Sequence, residues 1–538
     1  MAAYLRALFS VYWPALGASL VFVLHSLWYA GWIIDDAAIS FVYARNLAFG
    51  FGLTAQPGTA PVEAFSNPAW VGFMALFFKL HLFHPYFTPK IIGGLCSVTV
   101  FFLFNHTISR IGLLSRRQVF LVLILLAISP VWTANAAHGL ENPLYALGIA
   151  GLWGILLRIG YGPGLGKSGF FLAGSLVALL GLIRPEGLLF SLTLPFALFL
   201  RQTPWRQSIA PLLISALGCA LWYGAYLIFR WGYFHDLFPA PFYLKGISHS
   251  TGWGSLVKIH QLGRGIAGPL GWVAVVFPLL GWVFLLKKGK TGFGLHLTGG
   301  FFLLGIIIFL LLPYDWLWWY RYATPFVLWV FLLGVSIAKE VIPVWAKSTR
   351  WRRAIFIALG SCVLAGSTVI TGYTGWRLSQ APIVPFEEVA EKYGRRINKA
   401  ADLLEVNEGS LLLPDLGGTL YVSRLKVHDL AGFLDTRIRE TGISHAPAFY
   451  NYVFEELKPT FIHVHGIWLE ETAFETDPRF IAQYDTLATG RSAGSGLRYG
   501  YFVRKEVLAG KSHRKAQAGQ VLAEGEKMDF RFGFWAKK

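Results

Sequence analysis

Two adjacent carboxylates, Asp35 and Asp36, stand where a long apolar stretch gives way to "DDAAISFVYARNLAFGFG". Neighbouring acids repel each other and are costly to desolvate at a membrane edge. Their chemistry is that of a general base or a cation ligand. Later loop stretches add to them: "VEAFSNPAW", "HGLENPLY", "LIRPEGLL", "RWGYFHDLFPAPFYLKG" and "YDWLWWYRYATP". Acids and bases alternate through these loops as Asp35, Asp36, Arg45, Glu63, Glu141, Arg184, Glu186, Asp236, Lys245, Asp315 and Arg321. Tyr43, Asn67 and Tyr243 lie among them. Acids that can take a proton, beside Arg and Lys that can hold a phosphate, suit transfer of a group from a phosphate leaving group. Some members have plainer roles. Arg184 and Glu186 flank Pro185 at a tight turn, and His138 before Gly139 reads as a loop residue. "WLWWYRY" is an aromatic belt, and Asn67-Pro68 is a helix N-cap with Pro at the first helical position.

The elements that must position these residues are membrane helices. Of 538 residues, 55% are hydrophobic and only 14% charged, against about 25% charged in soluble domains. Apolar runs recur up to residue 372, the mark of a polytopic membrane protein. The net charge of +18 then reads as Lys and Arg anchoring cytoplasmic loops, not as a nucleic-acid footprint. Cys96, Cys219 and Cys362 all lie in apolar runs, so disulfides play no part. No Walker or Rossmann pattern occurs. An activated donor must therefore come from the membrane or the outside.

About eleven spans are expected, the first of them uncleaved. The segment 69–83 is set aside as an interfacial helix, because counting it would carry Arg110, Arg116 and Arg117 outward, against the positive-inside rule. The N-terminus is then cytoplasmic. Of the eight acids in residues 1–372, seven fall on the outer side and only Glu340 on the inner. Such a skew points to a polar site open to the outside.

From about 373 the composition changes. Residues 387–406 read as an amphipathic helix, and "SLLLPD", "KVHDL", "TFIHVHG" and "LRYGYFVRK" as short strands. Asp415, Asp429 and Asp435 cluster around glycines and suit turns and caps; His463 and His465 alternate on one strand face. The expected class is an α-helical polytopic membrane protein over 1–372, followed by a mixed α/β extracytoplasmic domain over 373–505. Residues 506–538 form a basic, flexible tail.

The stretch from Asp35 to Trp70, with its DD pair, "ISFVYARN", Gly-rich turn and "VEAFSNPAW", resembles the first outer loop of GT-C superfamily membrane glycosyltransferases. It is most similar to bacterial enzymes related to the mycobacterial terminal arabinofuranosyltransferase. "HGLENPLY", "LIRPEG", "HDLFPAPFYLK", "DWLWWYRY" and "PDLGGTLYVSRLKVHDLAGFLD" resemble later motifs of the same group. The resemblance implies a bacterial inner-membrane enzyme with an outward-facing site. It would use a polyprenyl-phosphate sugar, by inverting displacement, on an envelope glycan or glycolipid acceptor, among membrane lipids and without nucleic acid. Asp35 is the implied catalytic carboxylate, with Asp36 beside it to orient it, hold the acceptor or bind a cation. The implied substrate-binding set is Tyr43, Arg45, Glu63, Asn67, Glu141, Arg184, Glu186, Asp236, Tyr243, Lys245, Asp315 and Arg321. No cofactor is required; a divalent cation could sit on Asp36. One departure is Ala240, where the family often carries Asn. A flippase of lipid-linked sugars and a non-catalytic assembly factor are the rival readings. The near absence of inner-facing acids weighs against the first, and retention of Asp35 against the second.

Overall fold

The computed structural model describes residues 2–162, 164–246, 259, 271–287, 292–313, 321–346, 349–380, 384–443, 447–493 and 495–528. The chain divides into two compact units. One comprises Met1–Ala30, Pro89–Gly232 and His249–Ser379; the other comprises Gly31–Thr88, Tyr233–Ser248 and Gln380–Lys538. The expected boundary lies near residue 372, whereas the second unit is discontinuous along the chain. The first and fourth outer loops cluster with the C-terminal region, and the sequence alone gave no sign of that.

The first unit is helical. Among the described residues six helices are long and apolar enough to cross a membrane: Phe9–Tyr29, Phe87–Arg110, Asn142–Tyr161, Trp205–Phe234, Phe293–Leu311 and Arg321–Pro343. A seventh is gained if Arg116–Ala127 and Pro130–Ala137, bent by 59°, make one span. This is a multi-pass membrane protein; among the described residues six or seven such helices stand against the about eleven spans expected. Apolar runs at Lys167–Ile183, Pro185–Leu200 and Val273–Lys287 fold as shorter helices, below the roughly 20 residues that a 30 Å core needs.

Packing in this unit is aromatic. Trp153 and Trp329 lie 5.3 Å apart between ring centroids, each 5.4 Å from Phe104. Phe301 is 5.2 Å from Trp329, and the Trp153 indole N–H donates to Thr298 Oγ1 at 3.2 Å. Helices in lipid gain little from hydrophobicity, so close backbone approach and such bonds must hold them. The helices Lys167–Ile183 and Trp205–Cys219 meet through Gly174 and Gly218. A Cβ on Gly174 would lie 1.8 Å from the Ser215 carbonyl oxygen.

The second unit carries a five-stranded sheet: β1 (Ser410–Leu413), β2 (Lys426–Asp429), β3 (Phe461–His465), β4 (Tyr484–Arg491) and β5 (Arg498–Arg504), in the order β2-β1-β3-β5-β4. β1 runs parallel to β2 and β3, while β5 is antiparallel to β3 and β4. Four of these strands match the sequence expectation; β4 is additional. One face packs an aromatic cluster that includes Phe449, Phe454, Phe474, Phe480 and Phe502. The edge strand β2 is closed by the first loop. Gln56 Nε2 donates to the Val427 carbonyl and Gln56 Oε1 accepts from the Val427 N–H, both at 2.8 Å, which removes an open edge. Where a flexible tail is expected, Ser512–Glu526 forms a helix with Ala518, Leu522 and Glu526 buried. Residues 529–538 lie outside the described set.

Candidate functional site

In the second unit, Asp35 opens the helix Asp35–Ala48 and its backbone N–H donates to the Val384 carbonyl at 3.1 Å. Asp35 is 6% exposed. Gly417 N–H donates to Oδ2 at 3.0 Å and Gly418 N–H to Oδ1 at 2.6 Å. These amides begin the short helix Gly417–Val422, where N–H groups lack helical partners. Only glycine fits there: a Cβ on Gly417 would lie 2.0 Å from the Asp35 backbone oxygen and 2.7 Å from Oδ1. Burial pushes the Asp35 carboxyl well above the usual carboxylate range. The Gly418 N–H opposes this, while the nearby Asp415 and Asp36 charges add to it. Asp36 is half-buried.

Asp415 leaves β1 two residues before Gly417, and His465 ends β3. His465 Nε2 meets Asp415 Oδ2 at 2.5 Å. Burial works against a proton on His465, but the Asp415 carboxylate beside it prevails and the pKa is raised. Tyr393 stacks on both His463 (4.4 Å) and His465 (5.7 Å). His463 is fully buried, and that burial holds it well below the ordinary imidazole value. Asp435 caps the helix Thr436–Thr441 through Arg437 N and Ile438 N. Asp429 accepts from the N–H groups of Ala431, Phe433 and Leu434. Two of the three tail acids thus have the turn and cap roles expected, and Asp415 does not.

The remaining predicted residues of this unit hold its loops. Tyr43 donates to the Val62 carbonyl at 2.5 Å, and Arg45 Nη1 to the Tyr421 carbonyl at 3.0 Å. Glu63 is buried, and its backbone oxygen accepts from Ala240 N–H at 2.9 Å. Asn67 precedes the helix Pro68–Lys79 as expected, but its side chain accepts from Ser40 Oγ at 3.1 Å instead of capping. Asp236 accepts from Tyr243 Oη at 2.8 Å and pairs with Arg439 at 3.5 Å, whose guanidinium lies over the Tyr243 ring. Arg439 was not foreseen. Lys245 lies in the helix Ala240–Gly246, with its side chain outside the described set.

The helical unit holds a second polar centre. Arg184 Nη1 binds Glu141 at 2.7 Å and its Nε binds Glu186 at 2.5 Å. Arg184 and Arg321 both lie over the Tyr322 ring, at 4.9 and 5.3 Å. Asn142 Nδ2 donates to the Arg321 carbonyl at 2.8 Å and to Thr324 Oγ1 at 2.9 Å. His138 is buried and bonded to Asn135 at 2.9 Å, as a structural residue would be. Asp315 lies outside the described residues.

A cation held by Asp36 finds little support in the residues present. Among the described residues no three His, Cys, Asp or Glu side chains gather as metal ligands.

No protein-family model matches the chain, and no curated protein sequence does. Solved structures do. ArnT from Cupriavidus metallidurans, bound to undecaprenyl phosphate, aligns over 93% of this chain and 98% of its own, with a TM-score of 0.56 at 12% identity. The oligosaccharyltransferase AglB from Archaeoglobus fulgidus, in complex with an inhibitory peptide and a dolichol-phosphate, aligns over 92% of this chain and 74% of its own, with a TM-score of 0.51 at 12% identity. The chain shares its overall fold with these two solved structures.

Proposed function

We propose that this chain is a GT-C-type glycosyltransferase. It moves a sugar from a polyprenyl-phosphate carrier to an envelope glycan or glycolipid on the outer face of a bacterial inner membrane. The observation that carries the reading is the first-loop carboxylate Asp35, buried and pinned by two peptide N–H groups, in a fold whose solved neighbours were captured with undecaprenyl phosphate and dolichol-phosphate.

Asp35 is the base. A carboxylate has about four lone-pair sites and the two glycine amides use two, which leaves an acceptor hydroxyl room to bond. As the hydroxyl oxygen attacks the anomeric carbon, its proton passes to Asp35. The bond to the carrier phosphate breaks on the opposite face, with inversion. Burial raises the basicity of Asp35 toward the working pH, and the amides fix its direction. Arg321, in the helical unit, carries a fixed positive charge suited to a lipid phosphate. Arg184, bound to Glu141 and Glu186, holds the polar centre of that same unit.

The test uses purified protein in liposomes with a panel of polyprenyl-phosphate pentoses and hexoses. Asp35→Asn should lose at least about 10²-fold in turnover, the scale of general base catalysis, with its melting temperature retained. Asp36→Asn, measured alongside, separates the two acids. Near-normal turnover by Asp35→Asn removes it as base.

A further inference from the structure

We infer that Asp415 and His465 are positioning residues for Asp35: Asp415 stands two residues before Gly417, whose amide and that of Gly418 hold the base, and the His465 imidazole at its carboxylate offsets part of the Asp415 charge. The inference rests on the reading of Asp35 as base. β1 and β3 are parallel neighbours, so Asp415 and His465 leave the same edge of the sheet. Their contact is 2.5 Å, with both side chains 20% exposed. Without the imidazolium, Asp415 would be a like charge close to Asp35, which already has Asp36 beside it in sequence.

The groups around the pair leave this task to His465. Lys392 is bound to Glu388 at 2.6 Å and lies 3.7 Å from Glu526. Glu526 accepts from Tyr501 Oη at 2.8 Å. His463 is buried between the rings of Tyr393 and Tyr501. Tyr499 pairs with His465 across β5. A Tyr393 ring on one side and Asp415 at its Nε2 fix the plane of the His465 imidazole. In this arrangement the sheet domain is part of the catalytic machinery, although it lies more than 300 residues along the chain from Asp35.

The experiment is the pH profile of kcat for the full-length protein in liposomes. His465→Gln keeps a hydrogen-bond donor toward Asp415 but carries no charge, so the acid limb should move to higher pH by about one unit. Asp415→Asn removes the neighbouring charge in an isosteric side chain and should move the limb to lower pH by a similar amount. The double variant should follow Asp415→Asn. If His465→Gln does not fold by thermal melt, Asp415→Asn alone carries the test. Limbs that stay at the wild-type pH in the folded variants overturn the inference. The two failures are distinguishable: turnover retained by Asp35→Asn removes the base itself, whereas a dead Asp35→Asn with unmoved limbs removes only the role of Asp415 and His465.

Discussion

Arg184 and Arg321 share the Tyr322 ring, yet substituting them should have different consequences. Arg184 satisfies two carboxylates whose side chains are 5% and 9% exposed. Arg184→Ala leaves both acids buried beside each other, and breaking such pairs costs about 3–5 kcal/mol. We expect a large loss of folded protein, read by thermal melting or by yield after extraction. Arg321→Ala should instead fold and use the donor poorly. Losing one charge-assisted phosphate contact costs about 1.5–3 kcal/mol, or roughly 10- to 150-fold in donor KM. Arg321→Lys should rescue only part, since an ammonium lacks the planar fork. If Arg321 serves only to pair with Asp315, exchanging the two charges would restore activity. Donor titration on that double variant decides it.

At the scale of elements, the contact between the ends of β1 and β3 should be visible in the stability of the protein. His465 has a raised pKa in the fold. Its contribution is therefore complete below the unfolded value of about 6.5 and is lost as pH rises through the folded value. The wild-type melting temperature should fall as pH rises above about 6.5, and the His465→Gln curve should be flatter over that range. Gly417→Ala should cost both activity and stability, because its Cβ has no room against Asp35; a turnover assay and a melt on the same preparation check this.

These elements also mark how far the sequence could be read. Alternating apolar residues announced β1, β2, β3 and β5, and the 387–406 periodicity announced a helix. β4 escaped because "YDTLATGR" is polar on its open side and alternates weakly. Asp35 stood out as one of two adjacent acids at the end of an apolar run. Its partners did not, since backbone amides carry no sequence signature beyond "LGG". Asp415 and His465 are fifty residues apart and meet only because β1 and β3 are neighbours in the sheet.

For the whole molecule, the distribution of Lys and Arg sets the expected topology. The positive-inside rule predicts a cytoplasmic N-terminus and a sheet domain on the opposite side of the membrane. A reporter fused after residue 380 should be active only if it works in the periplasm, and cytoplasmic activity would place every outer loop on the inner side. Mass spectrometry of envelope glycans from a deletion strain should show a truncated glycan and an accumulated polyprenyl-phosphate sugar, which would identify what is transferred.

The discontinuous second unit has a consequence for synthesis. Residues 31–88 emerge early, but the partners that bury Asp35 and close onto Gln56 come from 380 onward. At about 5–20 residues per second, the first loop waits roughly 15–60 seconds for them. Throughout that interval the paired acids are held in water rather than in protein, while the membrane helices between are inserted. A ribosome stalled before the sheet domain would therefore leave a chain with its helices in the bilayer and its first loop open to proteases. Pulse-chase proteolysis should detect that loop as a transient, cleavable intermediate.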